Sequence, residues 1–101
     1  MAHFPKSFTP PIMKLERDLV QKVCDGHPTA ALFIYHMRET CRVAKDVDYL
    51  RLLQWLIGNR VTGQALVDFL ACDCNNNPVE AVAQIRRRYN KDRDLQKVFG
   101  Q

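Results

Sequence analysis

The chain has 101 residues, 47% of them apolar and 26% charged, with a net charge of +4. That length buries one core without disulfides or metals, and the balance excludes disorder and fibrous repeats. The longest apolar run, Ala30 to Tyr35, is far short of the roughly 20 residues that cross a bilayer.

The opening MAHFPKSFTPPIMK lacks a basic start followed by an apolar block. No secretion signal is expected, and the protein reads as soluble and cytoplasmic, with no membrane partner. Residues 1–9, with Phe4 and Phe8 among prolines, read as a flexible N-terminal arm preceding a helical domain over 10–101.

Thr9 followed by Pro10 and Pro11 is a helix start: a hydroxyl cap, then residues whose φ is preset for a first turn. Ile12, Leu15, Leu19 and Val23 recur at spacings of three and four, and Gly26 is suited to end that helix. Pro28 opens a second one. Ala30, Ile34, Met37, Cys41 and Ala44 form its seam, and Leu32, Phe33 and Tyr35 widen the apolar surface around its first half.

Residues 46–58 carry Tyr49, Leu50, Leu52, Leu53, Trp55, Leu56 and Ile57, interrupted only by Asp48, Arg51 and Gln54. Those three polar residues share one narrow stripe, so the remaining circumference must be covered by other helices. This is the expected central buried helix, capped by Asp46 or Asp48 and stopped at Gly58-Asn59. Thr62 is the expected cap of a short fourth helix, with Ala65, Leu66, Phe69 and Leu70 facing inward. Asn77-Pro78-Val79-Glu80 is the clearest local start signal: Asn as cap, Pro at the first position, and Glu at the third reaching back to the cap amide. Val79, Val82, Ile85 and Tyr89 make the buried stripe of that fifth helix. Leu95, Val98 and Phe99 are expected to form a short last segment folding back over the core.

No stretch alternates as a strand does, and no repeat recurs. The expected fold is all-α, a compact single-domain bundle of five to six short helices.

Signatures of catalysis are missing: the chain has no Gly-rich phosphate loop, no GxSxG and no HExxH. Cys24 and His27 are neighbours across a turn, but no third residue is placed to orient the imidazole. Cys72-Asp73-Cys74 is the only close cysteine pair, and no second pair completes a metal site. The reading is a non-catalytic protein without metal or cofactor. A helix-turn-helix over Leu52–Leu70 fits in part. Gln54, Asn59 and Gln64 stand where small or buried residues belong, and Asp68 would repel phosphate.

Charge supplies the functional hint. Residues 1–78 hold nine Lys/Arg against eight Asp/Glu, whereas residues 79–101 hold six against three. The basic excess gathers at Arg86-Arg87-Arg88-Tyr89-Asn90-Lys91-Asp92-Arg93. Three consecutive arginines span about 200° of a helix, so they cannot all be buried. Guanidinium groups bind phosphate in bidentate fashion, and Tyr89 offers a stacking face. The candidate nucleic-acid contacts are therefore Arg86, Arg87, Arg88, Lys91, Arg93 and Tyr89. The competing reading is a solvated face whose arginines pair with Glu80, Asp92 and Asp94.

Length and helix count also resemble those of small death-fold bundles, which serve as protein-interaction adaptors. That likeness is one of architecture alone and implies only an alternative: an adaptor or inhibitor using charged patches or exposed parts of the second helix. Homodimerisation through surplus apolar surface on the second and third helices suits either reading.

Overall fold

Residues 11–99 are described by a computed structural model, and they form five helices: α1 (Pro11–Cys24), α2 (Pro28–Ala44), α3 (Tyr49–Gly58), α4 (Gln64–Asp73) and α5 (Pro78–Phe99). The expected arm, the Thr9 cap and the side chains of Ile12 and Phe99 lie outside the described residues. No strand occurs among the described residues, and none of their helices is long and apolar enough to cross a membrane.

Helix ends follow local chemistry. Asp25 and Gly26 both turn left-handed, with φ of 48° and 81°, and the Asp25 N–H donates to the Gln21 carbonyl at 2.8 Å. Of the two candidate caps for α3, Asp48 serves: its carboxylate accepts from the backbone N–H groups of Leu50 and Arg51. Asn77 likewise accepts from Val79 and Glu80 at the start of α5, at 3.0 and 3.2 Å. The reciprocal half of that motif does not form. The Glu80 carboxylate accepts from the Gln84 side-chain amide instead, and the Asn77 N–H donates to the Cys74 carbonyl.

Thr62 does not cap α4; the cap residue is Gly63. Its φ of 53° and ψ of −125° suit glycine alone, and its N–H donates to the Val23 carbonyl at 2.8 Å. A Cβ there would stand 2.9 Å from Asp25 Oδ2 and 3.0 Å from Asp25 Cβ. Tertiary contact with the end of α1 therefore overrides the hydroxyl preference. Gly63→Ala should lower stability by about 1–3 kcal/mol in denaturant unfolding. Gly58→Ala, at a helical position with open space around it, should instead be neutral or stabilising by up to about 1 kcal/mol.

Leu52, Leu53 and Leu56 of α3 are wholly buried, while Tyr49, Leu50, Trp55 and Ile57 are partly covered. Asp48, Arg51 and Gln54 form the exposed stripe. α2 touches all four other helices, and its Phe33 and Met37 are buried in the same core as Val23, Leu66, Leu70, Val82 and Ile85. α4 leaves α3 to pack on α2 and α5, so the two form neither a tight hairpin nor a DNA-reading pair.

The core stripes are narrower than the apolar pattern. Leu15, Leu32, Tyr35, Val79, Leu95 and Val98 are exposed, as are Ala44 and Ala65. The tail does not fold back: α5 runs unbroken to Phe99. The reason is local, since residues 90–98 contain neither Pro nor Gly and hold good helix formers.

Candidate nucleic-acid interface

Ala81, Val82 and Ile85 bury one side of α5, and Tyr89 continues that side one turn later as a half-buried residue. From Lys91 to Val98 every residue is exposed, so the helix overhangs the end of the bundle. Trp55, near the end of α3, meets the start of this overhang. Its ring stands edge-on to Tyr89 with centroids 6.2 Å apart, and its indole N–H donates to Asp92 Oδ2 at 2.9 Å.

The basic residues divide by environment. Arg86 turns back to Asp46, its guanidinium 2.6 Å from the carboxylate and its side chain only 23% exposed. It ties α5 to the α2–α3 connection. The Arg86 Nε and the Asn90 Oδ1 beside it are buried without hydrogen-bond partners. Arg87 reaches Glu80 loosely, at 3.6 Å with both side chains exposed, a geometry that contributes little. Arg88 lies over the Phe69 ring of α4 at 5.1 Å, and Arg93 lies over Tyr89 at 5.8 Å. Among the described residues Arg88, Lys91 and Arg93 have no ion-pair partner. Neither Asp92 nor Asp94 pairs with an arginine among the described residues, and Asp92 accepts a hydrogen bond from the Trp55 indole N–H.

The Arg86 hydrogen bond is the main cause holding the Asp46 carboxyl below its ordinary value of 3.8. A depressed carboxyl stabilises fully above its unfolded value, and that contribution is lost as pH falls through the folded one. Asp46→Asn should therefore cost about 1 kcal/mol near neutral pH, with solvent screening and the orphaned arginine both counted. In urea unfolding the gap between wild type and variant should close as the solution is acidified below the ordinary carboxylate range.

Two shallow grooves flank Trp55. Trp55, Asn59, Asp92 and Leu95 line both; Tyr89 and Arg93 complete one, and Val61, Arg88 and Lys91 the other. The indole thus sits between a single cation on one side and two on the other. Of the residues expected from sequence, Arg88, Tyr89, Lys91 and Arg93 converge here, Arg87 lies on the outer face, and Arg86 is engaged elsewhere. Trp55 and Asn59 were not anticipated. The only available signal was that the chain's single tryptophan stands close to the end of α3.

Elsewhere the chemistry is quiet. Burial pushes the Cys24, Cys41 and Cys74 thiols up, the reverse of what a nucleophile needs. Burial, with Glu16 alongside, also raises the Tyr49 phenol. Among the described residues no three of His, Cys, Asp and Glu gather as a metal-binding group.

Fold and site together define an all-helical domain whose last helix carries cations around a half-buried aromatic pair. Compared with known proteins, the chain matches no family model, no curated protein and no solved structure.

Proposed function

We propose that the protein binds single-stranded nucleic acid at the overhang of α5. The observation that carries this reading is the placement of Trp55 between Tyr89 and Arg93 in one groove and Arg88 and Lys91 in the other, with Asp92 lining both grooves but none of the three cations in an ion pair among the described residues. A base stacks on an aromatic face irrespective of its identity, and phosphates on either side meet guanidinium or ammonium groups. Arg87 adds a fourth contact from the outer face. Arg86 contributes structure rather than contact, because its charge is neutralised by Asp46.

Trp55 is the only tryptophan, so its fluorescence reports directly on stacking. Titration with a short single strand should quench it, with weaker binding to a duplex of the same sequence. Four phosphate contacts give a logarithmic salt slope of about −3, so raising salt fourfold should lower affinity about 50-fold. Absence of binding at low salt overturns the proposal, and equal affinity for duplex removes the stacking mode.

A protein partner is the second reading. It is favoured by the exposure of Leu32, Tyr35 and Val43 along the outer side of α2.

A further inference from the structure

The outer side of α2 carries a pattern independent of α5. Leu32, His36, Glu39 and Val43 recur at spacings of four, three and four, opposite the buried stripe of Ala30, Phe33, Ile34, Met37 and Cys41. Helical geometry places these four along one line. Leu32 is 52% exposed and Val43 71%, with His36 and Glu39 partly exposed between them. Tyr35 flanks the line, 60% exposed, its ring edge-on to His36 at 5.6 Å. Glu39 is ionised and already accepts from Arg42 through Oε1 at 2.8 Å.

The pattern is the same length read from either end: apolar, imidazole, carboxylate, apolar. We propose that this face is a self-association surface on which α2 of a second copy packs antiparallel, about a two-fold axis crossing the helix between Met37 and Arg38. In that register Leu32 packs on the partner's Val43 and His36 faces the partner's Glu39, and symmetry repeats each pair. A parallel pairing sets glutamate against glutamate, which repel, whereas the antiparallel one gives each carboxylate an imidazole N–H donor. This self-complementarity is what favours a second copy of the chain over a foreign helix.

One helix pair buries less surface than a standard interface, so the dimer should be weak, with a dissociation constant of about 10–100 µM. Sedimentation equilibrium from about 1 µM to about 1 mM spans that range. Wild type should pass from monomer to dimer, and Leu32→Glu/Val43→Glu should remain monomeric. Its circular dichroism and melting should match wild type, since both side chains are exposed. His36→Glu alone should weaken the dimer at least about tenfold by setting like charges together. His36→Glu/Glu39→Lys should restore it, which loss of fold could not mimic. A wild type monomeric throughout, a dimer indifferent to Leu32→Glu/Val43→Glu, or failure of the double charge exchange to rescue would each overturn the proposal.

Discussion

Arg88→Glu/Lys91→Glu/Arg93→Glu should lose at least about 100-fold in single-strand affinity at about 0.1 M salt. Each phosphate contact on a single strand contributes a factor of about five at that concentration, and reversal adds repulsion to the loss. The salt slope should flatten from about −3 to about −0.7, because only Arg87 remains to displace counterions. The slope separates a lost contact from a damaged fold, which would lower affinity and leave the slope of the surviving folded fraction unchanged. Removing Arg88 and Arg93 also deletes their contacts with the Phe69 and Tyr89 rings. Those contribute about 0.5–1 kcal/mol each at exposed sites, so the variant should melt lower yet remain folded at room temperature. Binding equal to wild type would show that the ligand, if nucleic acid, is held elsewhere on the chain.

Leu53→Ala should have the largest effect on stability. Leu53 has no exposed surface, and it lies in α3, which packs on α1, α2 and α5. Deleting its three outer carbons loses their transfer free energy and leaves a cavity that close-packed neighbours only partly fill, for about 3–4 kcal/mol. In a domain of this size that lowers the melting temperature by about 15–25 °C, out of a total stability of about 5–15 kcal/mol. Calorimetry or thermal circular dichroism measures it. A shift of only a few degrees would mean that the bundle does not close around α3.

Helices and most of their limits were legible because their causes are local. Asp48 and Asn77 cap through side-chain bonds to residues two and three ahead, and Pro28 and Pro78 open helices at fixed φ. The apolar period of Leu52, Leu53 and Leu56 specifies a buried face without reference to what buries it. Errors fell where a neighbour outbid the local preference, as Asp25 and the Val23 carbonyl do at Gly63. They also fell where no neighbour arrived, as at Val79 and along Leu95 and Val98.

The candidate site was half legible. The cations and Tyr89 sit within eight consecutive residues, so one helix must present them together. Which of them stay free was not written in that segment. Asp46 lies 40 positions from the arginine it binds, and Trp55 lies 37 from Asp92.

Sequence by itself determined that this chain is helical, where α2, α3 and α5 start, and that positive charge accumulates on the last one. Hydrogen bonds and steric preferences within about four residues suffice for that. The tertiary structure alone decided that Arg86 is neutralised, that an indole stands among the remaining cations, and that Leu32 and Val43 stay exposed on the outer side of α2. Those outcomes depend on which faces meet across the bundle, and packing chooses among faces whose local propensities are the same.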